Sequence, residues 1–514
     1  MTRLLAAAFL FYFLPISFYK EGMHRAYYFS VNGDDNNDGT VNHPLRSFSV
    51  LQKSSIQGGD SVLLKGGDIF NDSLIFSANA TATKHILVSS YGKGNAIINA
   101  GNESAIAIFQ SSFMDIKNIT CKGSGRKQGN TKAGINISDC NNITISNIDV
   151  SGFQKSGLQL YSCLNTMADH IVAHDNGAAG ISVEGDFNNK LTSRDIRIIN
   201  CQAINNPGDP SNLTNHSGNG IVVGHCTNVL IDHCLATNNG WDMPRIGNGP
   251  VGIWCYEADS VIIQHCLSYR NKTSPGAADG GGFDFDGGTT HSIIQYCLSY
   301  NNQGSGYCIF QYWSASPWHD NIFRFNISID DGLVSDSRAG VYTWNSSKDS
   351  SQFYNCDVYN NTIYNSKEAA LSFSEISQRK NFRFFNNIFI AADSLIRGDK
   401  GTDIFLANDW YSLQKKFDAD GINNFNEWLS HYPIERLNGK KAGLNVLPSF
   451  KASVDTTFTN VNYLTGYQSC KIIKPSAVTE SGIDLKHLFH INIGKKDFNG
   501  EIINKKYLGA CTNK

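Results

Sequence analysis

Nine short segments of the chain share one pattern, a small residue followed by strict alternation of inward and outward positions. They read GINIS from Gly134, GLQLY from Gly157, GISVE from Gly180, GIVVG from Gly220, GIWCY from Gly252, GFDFD from Gly282, GYCIF from Gly306, GVYTW from Gly340 and ALSFS from Ala370. A period of two is that of a β-strand with one buried face. The segments recur on a base period of about 23 residues, lengthened by insertions, which predicts a three-sided solenoid with surface loops. Their second and fourth positions are nearly all apolar, among them Ile181 and Val183, Ile253 and Cys255, Phe283 and Phe285, and Leu371 and Phe373. These are the predicted core.

The third and fifth positions map one outward surface, with neighbouring strands about 4.8 Å apart. Going down it lie Ser182 and Glu184, Val222 and Gly224, Trp254 and Tyr256, Asp284 and Asp286, Cys308 and Phe310, then Tyr342 and Trp344. Strands usually avoid Asp, so the two in GFDFD call for a reason. Expected on the open face, Asp284 and Asp286 make a candidate acid/base pair, with Asp279 and Glu257 close by in sequence. Trp254, Tyr256, Tyr342 and Trp344 flank them as candidate sugar platforms, because aromatic rings stack on the apolar faces of pyranoses. The competing expectation is that these aromatics lie under the insertions as a satellite core. Asp209, His216, Trp241, Asp242, Arg245, Tyr312, Trp313, Trp318 and His319 sit in the large insertions. There they could wall a groove, and the sequence assigns none of them a role.

A second phrase recurs between the strands: IRIINCQAINN, VLIDHCLATNNG, VIIQHCLSYRN and SIIQYCLSYNN. Its β-branched residues predict another strand, and its closing Asn residues a turn stacked from coil to coil. Cys201, Cys234, Cys266 and Cys297 hold the same place in successive coils. Adjacent in-register strands give poor disulfide geometry, so a column of small buried thiols is expected.

The ends differ. Arg3, the apolar stretch Leu4 to Phe18 and the polar stretch Tyr19 to Arg25 predict an export signal over residues 1–26. No Cys stands near it to carry a lipid. The solenoid with its N-terminal cap is expected over 27–400. In the opening turn, Asp34, Asp35 and Asp38 suit either calcium or turn chemistry. A C-terminal capping region is expected over 401–514, with helical spacing at Trp410, Leu413 and Phe417.

Composition narrows the function. The 514 residues are 41% hydrophobic and 17% charged, with a net charge of −2. That offers no basic surface for nucleic acid. No stretch after the signal reaches the ~20 apolar residues of a membrane span. The expected product is an exported monomer whose partner is a polysaccharide or oligosaccharide.

The repeats and the terminal segments resemble the pectate-lyase-like superfamily of secreted, right-handed parallel β-helix proteins. The resemblance implies an all-β fold of that kind and a carbohydrate-active protein. Locally, Ala278-Asp279-Gly280 and Gly282-Phe283-X-X-X-Gly287 resemble phrases of family 9 polysaccharide lyases. That family uses a Lys base beside an Asp-bound calcium, and at the position resembling the Lys this chain carries Asp284. Three functions stay open. The first is a glycoside hydrolase using Asp284 and Asp286. The second is a calcium-dependent lyase in which Asp279, Asp284 and Asp286 hold the ion. The third is a carbohydrate-binding or surface β-helix without catalysis.

Overall fold

The computed structural model describes residues 24–511, apart from 190–191, 335–337, 375–377, 415, 420, 432–433 and 474. Residues 1–23, most of the expected export signal, lie outside the described residues. All nine alternating segments fall in one 12-stranded parallel sheet. Their second positions stack in register: Ile135 on Leu158, then Ile181, Ile221, Ile253, Phe283, Tyr307, Val341 and Leu371. Leu74–Phe76 and Ile106–Phe109 extend this sheet upstream, and Ile396–Arg397 closes it downstream. The chain is a right-handed parallel β-helix.

A 24-stranded sheet forms the other two faces. In early coils one long strand, such as Asn141–Ser151 or Leu164–His174, runs round the corner between them. Later coils split there, as at Arg194–Ile199 and Gln202–Ile204. Each corner is turned by one residue in the left-handed region: Asn147, His170, Asn200, His233, His265, Tyr296, Phe325. Such residues carry a local strain that only a surrounding structure with many fixed contacts sustains.

Immediately inside each corner lies the cysteine column. Cys201, Cys234, Cys266 and Cys297 are buried, and no disulfide joins any of the thirteen cysteines. Asparagine then takes over the same column. Cys297 N donates to Asn326 Oδ1, and the pattern passes through Asn361, Asn387 and Asn408 before ending on the carboxylate of Glu435. At another corner a second buried column runs through Asn176, Asn206, Asn239, Asn271 and Asn302 and ends on Asp331. Each side-chain oxygen accepts the backbone N–H of the preceding coil, which satisfies a buried donor at every turn.

At the N-terminus the 3-10 helix Phe48–Lys53 seats Phe48 and Leu51 on the first coil. The acidic opening follows turn chemistry: Asp34 accepts from Asn36 N, Asp35 from Arg46 N and Ser47 N, and Asp38 from Thr40 N. At the other end the helical spacing at Trp410, Leu413 and Phe417 is not realised. Trp410 lies in the strand Asp409–Ser412, paired with Ile388–Ala391. Its ring packs on Phe389 and its indole N–H donates to Glu435. An open strand edge and a buried acceptor outweigh the helical period here, and pairing runs past residue 400.

The α-helix Phe425–His431 then closes the core with Phe425, Trp428 and Leu429. Beyond it, Val461, Leu464, Tyr467 and Phe498 pack along the outside of the larger sheet on Leu267, Leu298 and Ile327. The sheet of alternating segments is thereby left to the insertions. Among the described residues no helix is long and apolar enough to cross a membrane.

Candidate functional site

The insertions fold over the central strands of the 12-stranded sheet and leave a cleft of about 520 Å³. Its floor comes from the outward row, with Trp254, Tyr256, Asp286, Phe310, Tyr342 and Trp344 lining it and Asp284 and Cys308 beneath. Trp254 pairs with Asp284, Asp284 with Cys308, and Cys308 with Tyr342, while Phe310 pairs with Trp344. Loops leading into Asn219–Gly224, Ile253–Tyr256 and Phe283–Phe285 supply one wall, with His216, Asn248 and Asp279. Loops leaving the strands supply the other, with Tyr312, Trp313 and Ser346. Of the expected platforms, Trp254, Tyr256, Tyr342 and Trp344 all line the cleft. Trp254 also joins a small covered cluster with Val222 and Val251, so satellite core and cleft wall are two sides of one residue.

The expectation that Asp284 stands on an open face is not met. It is 2% exposed, under the cleft floor between Trp254 and Cys308. The alternation is right, but the loops cover the face. One carboxyl oxygen, Oδ1, has no hydrogen-bond partner. Burial, and then the charges of Asp286 and Asp279, push this carboxyl well above the usual range and so favour its protonated form.

Asp286 lies beyond the strand Phe283–Phe285, where the chain turns through two glycines, and it lines the cleft. Its carboxylate accepts from Gly287 N at 2.7 Å, and its backbone oxygen accepts from the Thr289 hydroxyl. Burial pushes its pKa up to about 6, opposed by the Gly287 hydrogen bond and assisted by Glu257. Asp279 also lines the cleft, its carboxylate accepting from Gly249 N at 2.7 Å.

Glu257, expected to bind substrate, does not line the cleft. It is 8% exposed, and its carboxylate accepts from Ser316 N at 2.8 Å, which anchors the loop bearing Tyr312 and Trp313. Tyr256 donates to Glu184, which also holds His225. Asn219 links His216 to Trp254, donating to the imidazole and accepting from the indole. Burial, helped by Arg245, lowers the His216 pKa to about 4, so it stays neutral.

The remaining insertion residues stand elsewhere. Asp209 is buried against Gln154 and Lys155, Asp242 pairs with Arg126 and Lys127, and Trp241 donates to Asn205. Arg245 bonds Asn248. Trp318 is core, its indole donating to Phe285 O, and His319 pairs with Asp320. Sequence reasoning passed over Phe310 and Glu184. Both occupy fifth positions in the row that singled out Tyr256 and Asp286, so the row itself held the signal. Asn215 and Asn248, on irregular loops, left no periodic trace.

Only the lyase alternative would put calcium on Asp279, Asp284 and Asp286. Among the described residues, groups of three or more acidic, His or Cys ligand atoms within 4.8 Å of one another are Asp232–His233–His265 and His291–His319–Asp320. The aspartate trio is not one of them. Its carboxylates do not converge as the six to eight oxygen ligands of calcium require.

Comparison with known proteins follows from this architecture. None of the curated proteins matches the chain. Among solved structures it is similar to pectate lyase Pel9A, at 14% identity and a TM-score of 0.43, covering 96% of this chain and 97% of that one. It is also similar to the GH136 lacto-N-biosidase from Eubacterium ramulus, at 15% identity and 0.41, covering 73% and 68%. A third is PfbA, a surface adhesin of Streptococcus pneumoniae, at 11% and 0.47, covering 66% and 84%. At these identities the likeness extends to the fold alone. The family described as Pel9A-like, right handed beta helix region, matches residues 27–311, more than half the chain and all of the cleft floor up to Gln311. The chain belongs to the Pel9A-like right-handed β-helix family.

Proposed function

We propose that the protein is a carbohydrate-active enzyme that hydrolyses a glycosidic bond, with Asp284 and Asp286 as its acid/base pair. The observation that carries this reading is the split between the two carboxyls. Burial and its neighbours favour the protonated form of Asp284, while Asp286, with a pKa of about 6, is ionised at neutral pH. Glycoside hydrolysis needs one carboxyl of each kind.

Asp284 lies outside the cleft lining, so its proton would reach the leaving glycosidic oxygen where the bound sugar displaces the side chains over it, and Asp286, in the lining, would attack the anomeric carbon or take a proton from the attacking water. The separation of the two carboxyls around the bound sugar decides which. Tyr256, Tyr342 and Trp344 would stack the sugar rings, Trp254 would back them from its covered cluster, and Asp279 would accept from a hydroxyl. The partnerless oxygen of Asp284 favours a chemical role, since a buried polar atom left unsatisfied calls for a reason. Against the lyase reading stands the carboxyl of Asp284 where the related lyases carry a Lys.

The test is product analysis on a panel of glycans. New reducing ends without ultraviolet absorbance from an unsaturated product, unaffected by chelator, are expected. An unsaturated product that vanishes with chelator would give the reaction to a calcium lyase. Binding without any cleavage would give the chain to the non-catalytic class.

A further inference from the structure

The cleft is acidic as well as aromatic. Asp279 and Asp286 line it, Glu184 bonds the hydroxyl of Tyr256 in its wall, and Glu257 lies close enough to raise the pKa of Asp286. Tyr312, in the far wall, senses the same field: after burial, its phenol is pushed up by Asp286, Glu257 and Glu184 in turn. Among the described residues that line the cleft there is no lysine or arginine. One basic side chain stands beside it: Arg245 bonds Asn248 of the wall, and its charge reaches His216. A site in low dielectric with one sign of charge focuses its field on whatever enters.

We infer that the cleft takes an uncharged oligosaccharide and rejects polyuronates, the anionic chains on which pectate and alginate lyases act. The inference rests on the carbohydrate reading above and names the substrate class for that site. A uronate carries a carboxylate on each ring, and the rings beside Asp279 and Asp286 would meet two carboxyl groups, with Arg245 beyond Asn248 as the one guanidinium described beside the wall. An uncharged sugar meets no such opposition. Its hydroxyls donate to Asp279 and Asp286, and its apolar faces lie on Tyr342 and Trp344, which keep part of their rings exposed. The volume, about 520 Å³, is in the range of sites that enclose small ligands.

The Asp284→Asn variant is suited to the test. Burial favours the neutral form of Asp284, so the substitution removes the proton donor with the least change to the charge of the cleft. Calorimetric titration at pH 7 in low salt would compare neutral gluco-, xylo-, galacto- and N-acetylglucosamine-containing oligosaccharides with trigalacturonate, mannuronate trimers and deacetylated chitotriose. At least one neutral oligosaccharide is expected to bind tenfold or more tighter than either uronate. Added salt and Asp279→Asn should each improve uronate binding, because they screen or remove the opposing charge.

A uronate bound as tightly as the best neutral sugar would overturn the inference and leave the enzymatic reading intact. Tighter binding of cationic chitotriose would also overturn it. Absence of binding by every oligosaccharide would sink both. Neutral sugars that bind the wild type but are never cut would remove the hydrolytic reading alone.

Discussion

Tyr256 reaches across Gly224 to donate a 2.8 Å hydrogen bond to Glu184, two coils away. The phenol lies over the intervening strand because Gly224 has no side chain, and a β-carbon there would collide with the ring. One glycine thus sets the position of a cleft wall. Gly224→Ala should swing Tyr256 outward, breaking its bond to Glu184. The expected readout is a KM raised several-fold with folding preserved. An unchanged KM would mean that Tyr256 takes no part in binding.

Asp284→Asn separates stability from activity. The folded-state pKa of Asp284 lies far above the unfolded value near 3.9. The fold therefore keeps a proton that the unfolded chain sheds, and wild-type stability falls as pH rises above about 4. The Asn variant escapes that loss. Its melting temperature relative to wild type should be higher at pH 8 than at pH 4, while its rate falls at least ~100-fold. Full activity would place the chemistry elsewhere.

Asp286 should set the acid limb of the rate profile. As a base it works only when ionised, so kcat/KM should rise with pH through about 6. The alkaline limb belongs to deprotonation of Asp284. Asp286→Asn should abolish the limb near pH 6 along with most of the rate. A limb that survives in this variant would belong to another group.

The terminating Asp331 offers a test of the fold. Its carboxylate accepts from Asn302 N, Asn302 Nδ2 and Ser328 Oγ, and burial pushes its pKa up to about 7. Its stabilising contribution is complete below the unfolded value near 3.9 and lost as pH rises to about 7. Asp331→Asn keeps the oxygen that Asn302 needs, and the serine hydroxyl can turn to accept. The variant should match wild type near pH 4 and gain on the order of 1–3 kcal/mol by pH 8. Denaturant melts at the two pH values would measure it, and equal curves would refute it.

Thiol titration checks the cysteine column. The unfolded, unreduced protein should titrate close to thirteen thiols. A count of one would mean six disulfides and a different pairing of the coils.

Much of this was legible in the sequence because a solenoid repeats its instructions. Every alternating segment from Gly134 to Ser374 names its inward residues in the same places, so errors in one coil are corrected by the next. The row Trp254–Asp284–Cys308–Tyr342 followed from that register alone. What repetition could not supply was the cover. The burial of Asp284 is a tertiary fact, and the loops 238–252 and 270–282 beside it are held by single hydrogen bonds such as Gly249 N to Asp279 and have no period. Trp410 failed for a related reason: the strand edge it completes and the carboxylate of Glu435 that receives its indole are tertiary facts, invisible in a local window.

The asparagine columns have a consequence for how such a chain can change its length. Along the second column each asparagine presents the same oxygen to the coil before it and the same amide hydrogens to the coil after, as in Asn239 between Asn206 and Asn271. Any internal coil can therefore be gained or lost, and its neighbours will still fit. A carboxylate has oxygens to accept with and no hydrogen to pass on, so Asp331 and Glu435 act as full stops. Descent can lengthen or shorten this protein by whole turns up to those two residues, and beyond them a new ending must be written.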